Sequence, residues 1–465
     1  MTTLAERLLS HAPNAAGSDA ATGFDRRLIA PMILGSILNP VNSSMLAVAL
    51  IPIGRAFGAA PSQTAWLVSG LYLATAVGQP VIGRLVDAFG PRLLYLSGTA
   101  VVGLAGVLGV WAPTLGVLVG SRVLLGFGTS AAYPASMSLL RSEADRTGLR
   151  SPSGILAALS IANQVISVIG PTLGGLLIAA GGWHLIFAIN VPLSAACLVL
   201  GAARLPRRGR TGNAHSIDVV GMLMFAAMLT AFLVFLMNPG TGHLYLVFVA
   251  ILAAGAFTWR ELHTAQPFID LRVLSGNAPL LATYGRQVLA YTTSYSFLYG
   301  FTQWLEEGRS LSASGAGVVL LPMSVAAIAV TIVTGRRAQI RAKLLVGSVM
   351  QVISCSLLLL MSSSSPIWTI VAVGAVIGIP QGLNGLANQN ALYAQADPER
   401  MGSSAGLLRT FMYLGALLAS AANAAFYCHG ATTSGLHQLS VLLIGVSVLF
   451  LLVAVLDRSL SRVGR

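Results

Sequence analysis

The chain has 465 residues, 55% of them hydrophobic and only 9% charged, with a formal net charge of +13. A soluble surface usually takes about 25% charged residues, so a water-soluble fold is excluded. The apolar stretches run for roughly 20 residues without alternating, which makes them bilayer-crossing helices and not barrel strands.

Residues 1–27 are rich in Ala, Gly and Ser, lack the apolar core of a signal peptide and read as a cytoplasmic tail. Helices 1 to 6 are predicted at 28–54, 62–84, 93–111, 114–138, 153–180 and 184–203, an N-terminal half spanning 28–203. A cytoplasmic loop follows at 204–216, then two extra central helices within 217–260, at 217–237 and 242–260. A second cytoplasmic loop at 261–278 leads to helices 9 to 14, at 279–303, 311–334, 343–361, 364–388, 402–427 and 437–456. These form a C-terminal half spanning 279–456, and residues 457–465 are a cytoplasmic tail. The whole is an all-α integral membrane protein of fourteen helices, two six-helix halves plus two.

The charges check this count. With the amino terminus inside, the cytoplasmic gaps collect most of the arginines, and the outer gaps hold only Arg55 and Arg309. That is the asymmetry of the positive-inside rule, and an even count puts both termini in the cytoplasm. It also gives the basic charge a membrane explanation, so no nucleic-acid partner is implied. Cys197, Cys355 and Cys428 lie apart and suggest neither a disulfide framework nor a metal site. No nucleophile–base pair, metal cluster or phosphate loop points to an enzyme, and no soluble domain points to a receptor.

Several motifs follow in chain order. Helix 1 carries Asn39-Pro40-Val-Asn42-Ser43, with Asn39, Asn42 and Ser43 on one face. Between helices 2 and 3 stands Gly83-Arg-Leu-Val-Asp87-Ala-Phe-Gly90-Pro-Arg92, read as a short loop with an acid and arginines at the membrane face. Helix 4 carries Arg122, Gly126, Thr129 and Tyr133, and helix 5 carries Gly170-Pro171-Thr-Leu-Gly174-Gly175. Small residues let membrane helices approach closely, and Pro171 removes a backbone donor. A weak internal repeat relates Gly126–Pro134 to Gly378–Asn384, and repeated halves around a central site are common among secondary transporters.

Together these segments resemble the major facilitator superfamily, and within it the fourteen-helix drug:proton antiporters. The helix 2–3 motif, the helix 4 arginine, the helix 5 glycines, Gly182 to Pro192 and Gln303 to Pro322 carry the resemblance, over about residues 30–455. It implies a secondary active transporter working by alternating access, a proton-linked multidrug or toxic-metabolite exporter. The alternative is a dedicated carrier of an organic anion or lipid-like metabolite with weak or no proton coupling. The implied setting is the cell membrane of a monomer embedded in the lipid bilayer, with no cofactor beyond a proton gradient.

The resemblance also implies that helices 1, 4, 9 and 12 line the cavity. The candidate substrate residues are then Asn39, Asn42, Ser43, Arg122, Thr129, Tyr133, Gln287, Tyr291, Tyr295, Gln381, Asn384 and Asn388. The candidate gating residues are Gly83, Asp87, Gly90, Arg92, Gly170, Pro171, Gly174 and Gly175. One departure matters: Asn42 stands where the family's helix 1 aspartate is expected, and Ala47 where its asparagine is. No helix then holds an acid or histidine at mid-depth, the usual proton relay. The proton-coupling candidates become the outer pair Glu306 and Glu307, expected to have raised pKa values in a partly dry vestibule, or else Asp87 near the inner face. Arg122, Arg286 and Arg409 fall inside predicted helices, and Arg286 and Arg409 are close enough to the inner face to snorkel. A positive cavity favours small neutral or anionic amphiphiles over dications.

Overall fold

The structure, a computed structural model, describes residues 24–46, 48–59, 61–148, 152–207, 217–237, 241–311, 313–335, 337, 339–427 and 430–461. The predicted tail at 1–23, Ala47, Arg150, loop residues 208–216, Arg336, Cys428 and the end of the tail from 462 lie outside the described residues. Every described regular element is helical. In chain order the long helices are α1 (Ile29–Leu46), α2 (Trp66–Phe89), α3 (Pro91–Val110), α4 (Leu115–Thr147), α5 (Ser153–Gly181), α6 (His184–Arg204) and α7 (Val219–Met237). They continue as α8 (Leu244–His263), α9 (Ala278–Tyr295), α10 (Ala313–Gly335), α11 (Ile340–Leu358), α12 (Ile367–Gln395), α13 (Met401–Phe426) and α14 (Thr433–Leu456). Among the described residues thirteen helices are long and apolar enough to cross a membrane, and α9 is not one of them. Its sequence carries Tyr284, Arg286, Gln287 and several threonines in only 18 residues.

Several predicted loops are helix. The segment from Gly83 to Arg92 is not a ten-residue loop: α2 runs to Phe89 and Pro91 opens α3. Gly90 alone makes the turn, at φ 90°, a conformation that suits glycine. Proline at the first helical position needs no amide partner. Likewise α4 continues past its turn at Ser130 and Ala131 as far as Thr147. The charges predicted for a loop there pair along the helix instead, Arg141 with Asp145 and Arg146 with Glu143. Helix 1 ends earlier than predicted, at Leu46, and a short separate helix, Leu50–Phe57, follows. The Ser43 and Ser44 hydroxyls bond back to the carbonyls of Asn39 and Pro40, a pattern that weakens and bends helices. Beyond Tyr295, α9 winds on as π-helical turns at Ser296–Phe301 and Trp304–Gly308.

Close helix contacts follow the glycines. In the first six helices α5 packs on α1, and a Cβ on Gly170 would overlap Ser44. A Cβ on Gly174 would lie 2.9 Å from the Met45 carbonyl oxygen. In the last six, α12 packs on α10 and α11, with Gly378 against the Met323 carbonyl. First and last sets are joined by α2 with α13, α5 with α10, α4 with α13 and α5 with α12. The central helices α7 and α8 pair with one another, and α7 also touches α2 and α13.

Short connections make successive helices antiparallel, so the molecule has two faces. One, here the basic face, holds the turn at Gly90, the ends of α4, α6 and α8 and the start of α13. Several contacts between the first and last sets lie toward it. A Cβ on Gly335 would be 2.6 Å from Ala157, Gln164 donates to Thr331 at 3.3 Å, and Arg141 lies over the Tyr393 ring at 5.6 Å. Toward the far face of the same α5–α10 pair, Gly175 and Gly317 meet nothing within 4 Å.

Candidate functional site

Tyrosines from both sets of helices meet between them. On α9, Tyr291, Tyr295 and Tyr299 recur every four residues, so they share one face. Neighbouring rings in this stripe lie 5.9 and 5.7 Å apart. Tyr72 of α2 reaches across, its hydroxyl 3.2 Å from that of Tyr299 and its ring 5.6 Å from Tyr413 of α13. The Tyr413 hydroxyl donates to Asn39 Oδ1 of α1 at 3.1 Å. One turn before Tyr413, Arg409 lays its guanidinium over the Tyr133 ring of α4, 4.0 Å from the centroid. Tyr72, Tyr291 and Tyr295 are half-buried and Tyr299 is 41% exposed. They line partly open space and not closed core.

The sequence-predicted residues divide into three groups. Asn39, Tyr133, Tyr291 and Tyr295 belong to this site, and Asn39 also donates to Thr129 at 3.0 Å. Ser43 is half-buried and bonds back to Asn39. A second group is turned into interhelical bonds. Asn42 pairs with Asn190 of α6 through two amide bonds, at 2.6 and 2.9 Å, and is wholly buried. Asn384 donates to Gln351 at 2.8 Å, and Asn388 donates to Gln287 at 3.1 Å. Gln381 is half-buried and has Met323 Sδ as its neighbour at 3.8 Å. The third group is the arginines within the helices, of which Arg409 is half-buried. Arg122, wholly buried, donates to the carbonyls of Leu67 and Asn42 at 3.1 and 3.3 Å, while its Nη1 has no partner. Arg286 does not snorkel: it forms an ion pair with Asp457 at 2.6 Å and is wholly buried. Arg409 does not snorkel either, since its guanidinium stays on Tyr133.

At the basic face α2 is latched to the start of α13. Asp87 accepts from the Gly402 amide at 2.7 Å, the Ser403 amide at 2.8 Å and the Ser403 hydroxyl. These are unsatisfied amides of a helix N-terminus, which attract a carboxylate. Gly83 makes the approach possible, because a Cβ there would overlap the Gly402 carbonyl. Arg92, expected to gate with Asp87, instead donates to the carbonyls of Ala202 and Leu205 and closes the end of α6. Beside the latch a cavity of ≈ 970 Å³ is lined by Arg84, Asp87, Arg92, Arg141, Arg207 and Arg400 among others.

The acids also depart from expectation. Glu306 and Glu307 are both exposed at the far face, so the dry vestibule is not there. The Ala431 amide and the Gln303 side chain donate to Glu307 and hold its carboxyl below the usual carboxylate value, the reverse of the expected rise. Three other carboxylates are buried among the described residues: Glu143 of α4, paired with Arg146, Asp218 at the start of α7 and Glu261 in the last turn of α8. Arg260 donates to Asp218 at 2.6 Å, and Glu261 accepts from the Ile269 amide at 2.8 Å. Asp218 Oδ2 and Glu261 Oε1 have no partner, and a Cβ on Gly221 would lie 2.5 Å from each.

Sequence reasoning passed over Tyr72, Tyr299, Tyr413, Asn190, Ser403 and Asp457. For Tyr299 a signal existed, since the four-residue spacing of Tyr291 and Tyr295 runs on to it. The partners of Asp87, Asn42 and Arg286 lie 315, 148 and 171 residues away, beyond any local pattern.

The chain matches the family model described as Major Facilitator Superfamily over residues 32–420. It is 30% identical over 430 residues to YwoD, an uncharacterised MFS-type transporter of Bacillus subtilis (strain 168), covering 90% of this chain and 94% of that one. It is 30% identical over 306 residues to the multidrug resistance protein B homolog of Mycobacterium tuberculosis (strain ATCC 25618 / H37Rv), covering 64% of this chain and 55% of that one. The crystal structure of the human organic anion transporter MFSD10 (TETRAN) superposes with a TM-score of 0.65 at 15% identity, covering 92% of this chain and 99% of that chain. This last likeness is one of fold.

Proposed function

The chain belongs to the major facilitator superfamily, and from that premise we propose that it is a secondary active transporter exporting small amphiphiles, drugs or toxic metabolites, by alternating access linked to protons. The tyrosine site between the two helix sets carries this reading. It is walled by both sets and remains partly open, and contacts between the sets lie between it and the basic face. A substrate held there would lose one side of its cage whenever the two sets rock apart.

In this reading α9 with its π-helical extension is the fourteenth span, and the basic face is cytoplasmic with both termini. Thiol labelling from outside intact cells should reach Ser364→Cys and miss Ser275→Cys; the reverse result rejects the orientation. The substrate is a small neutral or anionic amphiphile, the protein acts as a monomer, and no cofactor takes part beyond the proton gradient. The buried Asp218 and Glu261 are better shielded than Glu306 and Glu307 to carry a proton between the two sides.

Purified protein in proteoliposomes should accumulate a labelled aromatic amphiphile when a pH gradient is imposed, and lose that accumulation when an ionophore collapses it. Movement that ignores the gradient would favour the second reading, a dedicated carrier of an organic anion or lipid-like metabolite without proton coupling. Among the described residues the tyrosine site includes no acidic side chain, which favours that second reading.

A further inference from the structure

The three arginines within the helices, Arg122 and Arg286 buried and Arg409 half-buried, differ in what balances them. Arg286 has Asp457 at 2.6 Å. Arg122 is held by two backbone carbonyls within the first helix set. Arg409 alone of the three faces the tyrosine site, and among the described residues no carboxylate comes within 4.0 Å of it. Its Nη1 donates to Met412 Sδ at 3.5 Å, a weak acceptor. A cation among membrane helices without a counter-charge is costly and marks a functional position.

A second observation comes from Tyr133. Its ring carries the Arg409 guanidinium at 4.0 Å and its hydroxyl is buried, 5% exposed for the residue; Arg409, itself only a donor, is the polar group beside that hydroxyl, whose proton finds no acceptor among the described residues. A buried donor left unsatisfied is costly. A guanidinium over a ring face can still present N–H groups past the ring, and its planar fork matches a carboxylate. One anionic group can therefore answer both vacancies, accepting from Arg409 and from the Tyr133 hydroxyl. Tyr413 stands one turn further along α13, and Tyr72, Tyr295 and Tyr299 continue the wall toward the far face. These rings offer flat apolar sides with polar tips.

We propose that Arg409 and Tyr133 form the anion-binding end of the tyrosine site, which takes a planar aromatic monoanion with its carboxylate at Arg409 and its ring among the tyrosines. The proposal rests on the tyrosine site being the substrate site. It narrows the substrate from amphiphiles in general to aryl carboxylates and their like. Because Arg409 belongs to α13 and Tyr133 to α4, the bound anion also bridges the two helix sets. A cationic arene meets the guanidinium and no acid, so it is rejected.

Equilibrium dialysis of the full-length protein in detergent, with no gradient present, tests this apart from transport. The probes are 2-naphthoate, its neutral isostere 2-naphthamide and the cation 2-naphthylmethylammonium. Wild type should bind naphthoate at least about tenfold more tightly than the amide, which is about 1.4 kcal/mol, and the cation weakest. Arg409→Gln should bring naphthoate and amide to parity, weakening naphthoate far more than the amide. Arg409→Lys keeps the charge but not the planar fork, and should retain part of the preference. Tyr133→Phe should weaken naphthoate several-fold and spare the amide. Size-exclusion profiles identify any variant that fails to fold, and the lysine and Tyr133→Phe variants then decide. The proposal is overturned if Arg409→Gln keeps the full carboxylate preference, or if wild type binds the amide or cation as well as naphthoate, or binds none. Naphthoate binding that depends on Arg409 without transport in proteoliposomes would uphold the anion site and reject the transport reading.

Discussion

Asp87 accepts from three donors on one turn of α13, using both carboxylate oxygens. An amide in its place can accept at only one of those two atoms and turns a donor toward a backbone N–H. Asp87→Asn should therefore cost roughly 1–3 kcal/mol, read as a lower melting temperature in detergent, and should reduce transport at unchanged membrane abundance. A variant with both quantities at wild-type level would return Asp87 to an ordinary helix-end acid. Glu307 gives a residue-scale test of pH. Its folded pKa is depressed from 4.5 by the Ala431 amide and Gln303, so its contribution is present above the unfolded value and is lost as pH falls through the folded one. Glu307→Gln should melt slightly below wild type at pH 7, and the two should converge in acid below the usual carboxylate range. Parallel melting curves across that range would show that the Ala431 tie does not bear on stability. At this scale the sequence disclosed which residues were unusual, Asp87, Asn42 and Arg409 among them. It did not disclose where they point, because the partner in each case is set by packing between distant helices.

Glycine spacing within α5 shows how element-level packing reads out. Gly170 and Gly174 face α1, where a Cβ would overlap Ser44 or lie 2.9 Å from the Met45 carbonyl oxygen, while Gly175 meets nothing within 4 Å. The sequence presents all three as one motif, and only the rotation of the helix separates them. Gly170→Ala and Gly174→Ala should each destabilise by about 1–3 kcal/mol, the usual cost of overpacking, with transport lowered. Gly175→Ala should match wild type in both melting temperature and transport. Equal damage at all three positions would mean that the motif acts through backbone freedom and not through the α1 contact. Helix existence was legible from apolar length, since a bilayer imposes its thickness on each span. Helix ends were less so. Polar stretches such as Arg141–Arg146 satisfy their charges along a helix, and nothing in their composition distinguishes that from a loop.

The whole molecule places its shielded acids away from its tyrosine site. A proton that drives transport must be held out of contact with the bulk on one side in at least one state, which is why relays use acids within the helices. Glu306 and Glu307 are exposed, and Glu307 already has two donors that favour its charged form. Asp218 and Glu261 are 7% and 0% exposed, each with one oxygen unpartnered, and those oxygens flank the same Gly221 position. They lie at the foot of α7 and α8, and α7 touches α2 and α13, the two helices joined by Asp87. A change of charge at the foot of that pair therefore has a short mechanical route to the latch. In proteoliposomes, the double variant Glu306→Gln plus Glu307→Gln should keep the response to an imposed pH gradient. Glu261→Gln should lose most of that response while still moving substrate down its own concentration gradient. Loss in the double variant with retention in Glu261→Gln would put the coupling acids at the far face instead. Retention in both would leave proton exchange to the latch carboxylate, and Asp87→Asn measured in the same assay would then have to abolish it. If all three sets of variants respond as wild type does, transport is not linked to protons through these carboxylates, and the uncoupled carrier is the better account of this chain.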